Sequence, residues 1–324
     1  MSENAECDLL IVGGGPAGLS AAINGASEGL SVRMVDSGFM LGGQARESAA
    51  IENYPGFPES VTGRDLMARF ASQALKFETD FICPTTVSRL YKDDKRFIAT
   101  TDDYQQIITK AVLLATGLSY RRLGAKGMGT LMGRGVYYGV PPSKPSKGAG
   151  IIVVGGANSA GQAVMRFAAD PTAKVMLVVR RKLEDQMSTY LVNRIRKQTN
   201  IEVCEGTEVG GVDGTIILES VTLITTNGEL RKTVDCDLLC IFIGATPRTL
   251  WLESTVTLDE KKFIVTDGTR RGALPFETSL EGCFAAGDVR AGSTKRIASA
   301  IGEGAGALQM VHQHLARLAG VLPP

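Results

Sequence analysis

The stretch CDLLIVGGGPAGLSAAINGASEGLSVRMVD, residues 7–36, decides the fold of this 324-residue chain. It begins with an apolar run typical of a buried strand, turns through a group of glycines, and continues with the small and apolar residues of a helix. A second short apolar run then ends at Asp36. This order of strand, glycine turn, helix and strand predicts a βαβ unit.

The same order returns in GAGIIVVGGANSAGQAVMRFAADPTAKVMLVVRR, residues 148–181, where Arg180 and Arg181 take the place that Asp36 has in the first unit. Short alternating strands follow each unit, and each repeat closes with an apolar strand that runs into glycine. We predict these later strands at 96–101, 105–110 and 111–117 in the first repeat, and at 221–226, from 229, and at 237–244 in the second.

One more apolar segment, residues 280–289, returns to the first repeat. We therefore predict an α/β protein with two Rossmann-like dinucleotide-binding domains, each a three-layer ββα arrangement, the first being discontinuous. Residues 1–117 and 247–324 would form an FAD-binding domain, and 118–246 an inserted NAD(P)-binding-like domain. The two crossings near Gly117 and Gly244 predict a hinge.

Composition narrows the classes of function. With 35 basic and 34 acidic residues the net charge is +1, which argues against nucleic acid and anionic membrane as partners. No apolar run approaches the ~18 residues needed to span a bilayer, and the polar N-terminus is not a signal sequence. We expect a cytoplasmic protein. Its six cysteines are scattered without a Cys-x-x-Cys pair, so we expect them to act as small buried hydrophobes.

Gly13, Gly15 and Gly18 form G-x-G-x-x-G between the first strand and the first helix. The first glycine permits the tight turn, the second lets the backbone approach a pyrophosphate, and the third lets the helix pack on the strand. The helix N-terminus faces the phosphates. Asp36, 18 residues after Gly18, would accept hydrogen bonds from ribose hydroxyls.

The second glycine turn, GGANSA (155–160), has Ala157 where the second glycine belongs, and its Cβ would intrude on a pyrophosphate. Arg180 and Arg181, by contrast, suit the 2′-phosphate of NADP. NADP, NADH and no nicotinamide nucleotide all stay open for this site. The candidate NADP-binding residues are Gly155, Asn158, Ser159, Ala160, Arg180 and Arg181.

Near the C-terminus, AAGD (285–288) precedes a helix predicted over 298–318. Asp288 can bind a hydroxyl-bearing cofactor chain, and the small residues of the helix let it lie close to the cofactor. His312 and His314 lie on different faces of that helix, so we expect surface positions for both and no metal site.

These motifs resemble those of the low-molecular-weight thioredoxin reductase family of FAD-dependent pyridine nucleotide–disulfide oxidoreductases. The resemblance covers nearly the whole chain and rests on GGGPAGLSAA (13–22), GGQ (42–44), IENYPGFP (51–58), LLATG (113–117), VVGGANSAG (153–161) and CFAAGDV (283–289). It implies a homodimer and a nucleotide domain that rotates between two positions. It also implies FAD at Gly13, Gly15, Pro16, Ala17, Gly18, Asp36, Gly43, Gln44, Asn53, Thr116, Gly117, Gly287, Asp288, Arg296, Ile297 and Ala298.

The chain departs from that family in two places. Where the family has Cys-Ala-Thr-Cys-Asp, this chain has Gly139, Val140, Pro141, Pro142 and Ser143, so both redox cysteines are missing. A thiolate is indispensable for disulfide exchange. The family's His-Arg-Arg-x-x-x-Arg motif for NADP is reduced here to VRRKLED (179–185).

Tyr137 and Tyr138, just before the missing pair, are our candidates for a flavin-proximal role, either stacking on the flavin or a second planar ligand or gating it. The alternative is a loop that only fills space.

Three functional hypotheses follow. The first is an FAD-dependent oxidoreductase that passes electrons from NAD(P)H or another donor to a non-disulfide acceptor: a small molecule, a flavin or a ferredoxin-like protein. The second is a non-catalytic flavin-binding redox sensor or scaffold. The third retains disulfide reduction, of thioredoxin for example, through cysteines elsewhere in the chain.

Overall fold

The computed structural model describes residues 6–48, 51, 53–141, 145–268 and 272–321. The chain divides into two compact units: Met1–Ser119 with Thr246–Pro324, and Tyr120–Ala245. In chain order the elements are β1 (Cys7–Val12), α1 (Pro16–Ser27), β2 (Val32–Val35), α2 (Gly63–Lys76), β3 (Asp80–Ile82), β4 (Val87–Asp93), β5 (Arg96–Thr101), β6 (Gln106–Leu114), β7 (Leu118–Tyr120), α3 (Met128–Leu131), β8 (Val136–Tyr138), β9 (Gly150–Val154), α4 (Asn158–Phe167), β10 (Lys174–Val178), α5 (Thr189–Arg196), β11 (Ile201–Cys204), β12 (Thr207–Asp213), β13 (Ser220–Thr225), β14 (Leu230–Asp235), β15 (Leu238–Ile241), β16 (Ala245–Pro247), β17 (Cys283–Ala285) and α6 (Ile297–Leu318). Single 3₁₀ turns occur at Gly43–Glu47, Leu183–Asp185, Leu250–Leu252 and Gly287–Val289.

The first unit is built on a sheet in the order β3-β2-β1-β6-β5-β4, in which β17 also pairs with β6. Strands β3, β2, β1, β6 and β17 are parallel, and β4 and β5 continue the sheet as an antiparallel hairpin. The predicted strands at 105–110 and 111–117 are one continuous strand, because β6 keeps a single register with β1 from Thr109 to Leu114. Its first half pairs with β5 and its second half with β17.

Apolar residues on both faces of this sheet are buried, as expected where parallel strands are covered on both sides. One core lies under α1, α2 and α6 and includes Leu9, Ile11, Leu113 and Phe284. The other, on the opposite face, includes Leu10, Val12, Phe97 and Leu252. The segment at 280–289 therefore returns to complete the first unit through β17, as predicted.

The second unit repeats the layered design. Its parallel sheet has the order β11-β10-β9-β15-β8 and lies between helices α4 and α5 and the antiparallel sheet β12-β13-β14. The predicted α/β fold with two Rossmann-like units is confirmed. The two crossings of the chain, β7 and β16, pair as a two-stranded sheet. Within the described residues, no helix combines the length and the apolar character that crossing a bilayer requires.

Candidate functional site

The three positions of the first motif are glycine for different structural reasons. Gly13 has φ +112°, and a Cβ there would overlap the carbonyl oxygen of Ala115, while a Cβ on Gly18 would overlap the carbonyl oxygen of Gly13. Gly15 differs, because a Cβ built there has no described non-neighbouring atom within 4 Å. Packing therefore requires glycine at the first and third positions, whereas the space beside Gly15 is open to a ligand.

Helix α1 begins beside this open space. Gly15 is its N-cap, Pro16 is its first residue, and in the described part of the chain no side chain caps it. Its first amides are consequently available to an anion, and the helix dipole favours a phosphate there. This cradle fits a dinucleotide pyrophosphate.

Asp36 follows β2 directly, at the carboxyl end of the sheet. Its Oδ2 accepts a hydrogen bond from the amide of Gly14 at 2.6 Å, and its Oδ1 accepts one from the amide of Gly38 at 2.7 Å. Each carboxylate oxygen has a second acceptor site, so the group can still bind ribose hydroxyls. The hydrogen bonds from these two backbone amides fix the orientation of the Asp36 carboxylate before a ligand binds.

The loop that contains GGQ closes over the glycine turn. The amide of Gly42 donates to the carbonyl oxygen of Gly14 at 2.7 Å. Gly43, with φ +52°, lies so close that a Cβ would be 3.3 Å from Cα of Gly15. Gly43 therefore borders the same space as Gly15, and Gln44 is exposed beside it. Asn53 is exposed too, but no described contact ties it to this group.

Thr116 and Gly117 follow β6 next to the turn. A Cβ on Gly13 would be 2.9 Å from the amide nitrogen of Thr116, so the two segments touch. Thr116 Oγ1 donates to the carbonyl oxygen of Arg248 at 3.1 Å. Gly117 has φ +63°.

Gly287 and Asp288 meet the same helix from the other side. Gly287 has φ +79°, and a Cβ there would be 2.9 Å from Cβ of Ala17 in the first turn of α1. Burial raises the pKa of Asp288. Arg296 is the N-cap of α6, Ile297 packs into the core, and Ala298 is exposed. Gly287, Asp288 and the glycine turn thus belong to one region of the first unit. The charge of Arg296 also acts on Asp288, opposing the rise in its pKa, whereas no described contact joins Ala298 to this region.

Two neighbours of Gly287 and Asp288 were not predicted from the sequence. Lys295 Nζ donates to the carbonyl oxygen of Asp288 at 2.8 Å, and the Glu303 carboxylate accepts from the amide of Gly287 at 2.8 Å. A single charged residue in or beside a glycine-rich helix forms no motif with a characteristic spacing, so the sequence did not indicate a role for Lys295 or Glu303.

The second glycine turn has a similar backbone. Gly155 has φ +146° and packs against the carbonyl group of Phe242, and α4 begins at Asn158 with Ala157 as its N-cap. The Asn158 amide is already engaged, because it donates to Ser188 Oγ at 2.9 Å and accepts from the Ser188 amide at 2.8 Å. Ser159 is exposed and Ala160 is buried.

Arg180 and Arg181 follow β10 and are both exposed. The side chain of Arg180 is 69% exposed, and its Nε lies 3.9 Å from Glu208 Oε1. Such a long, exposed ion pair is weak. Both guanidinium groups are therefore accessible to an anionic ligand.

Tyr137 and Tyr138 end the edge strand β8 of the second unit, and both rings are half-buried. Tyr137 donates its hydroxyl proton to the carbonyl oxygen of Gly133 at 2.8 Å, and the Tyr138 oxygen accepts from the Leu123 amide at 2.8 Å. The Tyr138 ring also lies 6.2 Å from that of Tyr120. Each hydroxyl group thus has a hydrogen-bond partner within the protein. Gly139 has φ +98° and Val140 is exposed, while Pro142 and Ser143 lie outside the described residues.

The cysteines are poorly suited to thiolate chemistry. Five are buried and Cys83 is half-buried. Burial raises the pKa of every one of the six thiols, to about 11 for Cys204 and to about 12 for Cys236, Cys240 and Cys283. Near neutral pH these groups are therefore overwhelmingly protonated thiols, which are weak nucleophiles.

The surface position expected for His314 is wrong. Its side chain is 2% exposed, and its ring meets that of Phe284 edge-on at 6.2 Å. The cause is the packing of α6 against β17, which the helical pattern alone did not show. Among the described residues, no group of three or more His, Cys, Asp or Glu side chains is placed to hold a metal ion.

Comparison with known proteins gives a consistent result. The family model described as pyridine nucleotide-disulphide oxidoreductase matches residues 7–304. The chain is 34% identical to a thioredoxin reductase from Listeria innocua, covering 98% of this chain and 96% of that protein. It is 32% identical to a thioredoxin reductase from Bacillus subtilis, covering 98% of each. The crystal structure of thioredoxin reductase from Streptococcus pyogenes is similar at a TM-score of 0.83 and 30% identity, covering 97% of this chain and 99% of that one.

Proposed function

Because the chain belongs to the pyridine nucleotide-disulphide oxidoreductase family, we propose that it is a flavoenzyme that passes electrons to an acceptor without a dithiol of its own. Proteins of this family and of thioredoxin reductase type are oxidoreductases that bind FAD and use NADPH. FAD supplies a ring that can accept a hydride or single electrons and release them to an acceptor. The protein binds and orients that ring.

We assign FAD to the first unit, Met1–Ser119 with Thr246–Pro324, and the nicotinamide nucleotide to the second. The open space at Gly15, with the uncapped start of α1, would take the pyrophosphate. Asp36 would take a ribose, and Gly43, Gly287 and Asp288 would border the rest of the cofactor. The open space supports this assignment, because packing among the described residues does not require a glycine at position 15.

The observation that carries the proposal is the state of the cysteines. The chain has no Cys-x-x-Cys pair, the resemblance aligns Gly139 and Pro142 with the family's redox cysteines, and the six cysteines present are buried or half-buried with raised pKa values. Electrons would therefore go from the flavin directly to a small molecule, a second flavin or a ferredoxin-like protein.

The electron donor is proposed from the second unit. Exposed Arg180 and Arg181 favour a dinucleotide with a 2′-phosphate, that is, NADPH over NADH. Replacing both by alanine should raise the KM for NADPH at least tenfold and change that for NADH less than threefold. Equal effects on the two nucleotides would contradict the assignment.

A second candidate function, reduction of thioredoxin through the existing cysteines, is favoured by the relatives that are named thioredoxin reductase. A variant with all six cysteines replaced by serine or alanine separates the two. We expect anaerobic bleaching of its flavin by NADPH, and its reduction of a dye acceptor, to match the wild type. Thioredoxin reduction by the wild type that disappears in this variant would establish the second candidate instead.

The same bleaching measurement tests the donor. If neither nucleotide bleaches the flavin while illumination with a deazaflavin reduces it fully, either the donor is another carrier or the protein is a non-catalytic flavin-binding sensor or scaffold. We also propose a homodimer, because thioredoxin reductases typically form one. Light scattering of the purified protein at a mass near twice 34.3 kDa is the expected result.

A further inference from the structure

The Glu303 carboxylate lies beneath the turn that follows β17. Glu303 belongs to α6, and its side chain is 12% exposed. Its Oε2 accepts the hydrogen bond from the amide of Gly287 at 2.8 Å. The side chain thus reaches from the helix to the backbone of a turn 16 residues earlier in the chain.

Arg290 also holds this carboxylate. Its Nε and Nη2 lie 3.2 and 3.1 Å from the two oxygens of Glu303, a bidentate contact, and its side chain is 16% exposed. The guanidinium also donates to Asp267 Oδ2 at 3.0 Å and lies 5.2 Å from the ring centre of Phe276. Bidentate contacts of this kind fix geometry as well as charge.

The turn itself has little freedom. Gly287 adopts φ +79°, and its α-carbon faces Ala17 so closely that a Cβ would be 2.9 Å from the Ala17 Cβ. Gly304, next to Glu303, packs against the carbonyl oxygen of Ala17 in the same way. Lys295 Nζ binds the carbonyl oxygen of Asp288 at 2.8 Å from the other end of the turn.

We propose that Glu303 is a positioning residue for the cofactor: its bond to the Gly287 amide sets the direction of the Gly287–Asp288 turn, and Arg290 offsets its charge. This rests on the proposed function, in which that turn borders FAD. Without the acceptor, the Gly287 amide loses its partner; the turn keeps its packing on Ala17 but loses the hydrogen bond that fixes its direction, so that the Asp288 side chain no longer meets the cofactor chain in one orientation.

The test compares FAD release from the holoenzyme of Glu303→Met and Glu303→Gln, followed by flavin fluorescence after dilution. Methionine has a similar length and no equivalent acceptor, whereas the glutamine Oε1 can still accept from the Gly287 amide. We expect release at least tenfold faster for Glu303→Met and within threefold of wild type for Glu303→Gln. A role in stability alone would lower the melting temperature without changing release far below it.

Two further variants serve as controls. Arg290→Met/Glu303→Met removes both charges, so the half-buried Arg290 is not left with Asp267 as its remaining carboxylate partner, and this variant should release FAD as fast as Glu303→Met. Asp267→Asn removes the other carboxylate that contacts Arg290. The Asp267 side chain is 50% exposed, and this variant should release FAD at the wild-type rate.

The outcomes separate the two proposals. A wild-type protein that contains no FAD and binds none would overturn the proposed function. A wild type that holds FAD, together with Glu303→Met and double variants that release it at the wild-type rate, would overturn only the role of Glu303.

Discussion

Single residues with the same identity have different tasks in this chain, as the three glycines of the first motif show. Backbone atoms packed against Gly13 and Gly18 leave no room for a Cβ at either position, whereas Gly15 has open space beside it. The motif treats these positions alike, but only the middle one has beside it the open space that we assign to the ligand.

Gly15→Ala should therefore affect the cofactor and spare the fold. Gly15 has φ −79° and ψ −173°, which alanine adopts without strain. We expect the melting temperature of the apoprotein to stay within about 2 °C of wild type, since a ΔΔG near 1 kcal/mol is needed for a larger shift. FAD affinity, measured by fluorescence titration, should fall at least tenfold.

The matched control is Gly18→Ala, whose Cβ would overlap the carbonyl oxygen of Gly13. It should lower the melting temperature of the apoprotein markedly. If Gly15→Ala destabilised the apoprotein as much as Gly18→Ala, the open space would not be a ligand site.

Gly282 gives a second prediction at this scale. It has φ +81°, and a Cβ there would be within 2.7 Å of Cε1 of the buried His314 ring. Gly282→Ala should cost about 1–2 kcal/mol for the left-handed backbone and about 1–3 kcal/mol more for overpacking. Gly292→Ala, at φ +76° with no described atom near its Cβ, should cost only the first part. Urea unfolding measures both, and equal losses would contradict the contact with His314.

At the scale of elements, helix α6 combines two tasks. Its small residues Ala300 and Gly304 let it lie close to the first turn of α1 and to Gly287, and Glu303 reaches the Gly287–Asp288 turn. One turn from its end, the same helix buries His314 against Phe284 and Gly282. The placement of this one helix therefore affects both the stability of the unit and the turn that we propose borders FAD.

His314 should make stability depend on pH. Burial lowers the pKa of His314 below the usual 6.5, and the charge of Lys92 lowers it further. Glu277, Glu281 and a hydrogen bond between the ring and the backbone of Lys110 oppose this shift. The unfolded chain then binds a proton more readily than the folded one, so stability is present above about pH 6.5 and falls as the pH decreases toward the folded-state pKa. The free energy of unfolding, measured with urea, should be lower at pH 5.5 than at pH 7.5.

The control is His314→Leu, which has no titratable group in this place. It should lose less stability than the wild type over the same pH interval, whatever its absolute stability. A wild type and variant with parallel pH profiles would show that other groups cause the decrease.

At the scale of the whole molecule, the two units have separate cores. The second unit, Tyr120–Ala245, is one continuous piece of chain, and its entry and exit strands β7 and β16 are paired, so the two cut points lie close together.

This organisation predicts that the units can be separated. A protein with residues 1–119 joined to 246–324 by a short glycine–serine linker should fold and bind FAD, but NADPH should not bleach its flavin. Fragment 120–245 should fold and bind no FAD. Cooperative urea unfolding and FAD titration of both proteins are the measurements. Loss of FAD from the linked protein, with its fold intact, would place part of the FAD site in the second unit.

Much of this molecule was determined by the sequence alone. The paired strand–glycine–helix units, Asp36 after the second strand, and the absence of a Cys-x-x-Cys pair are local features, so spacing and residue type suffice to predict them. The strand β5 at 96–101 was predicted to the residue for the same reason, since alternation over a hairpin is a local signal.

Only the tertiary structure decided which groups meet across large separations in the chain. Gly43 lies over Gly15, Glu303 reaches Gly287, and His314 is buried beneath Gly282, and none of these contacts has a characteristic spacing. They arise because sheet order brings the carboxyl ends of β1, β2, β6 and β17 together and lays α6 across α1. Periodicity identifies each element, but the free energy of packing the elements together selects their neighbours, and those neighbours give the single residues their tasks.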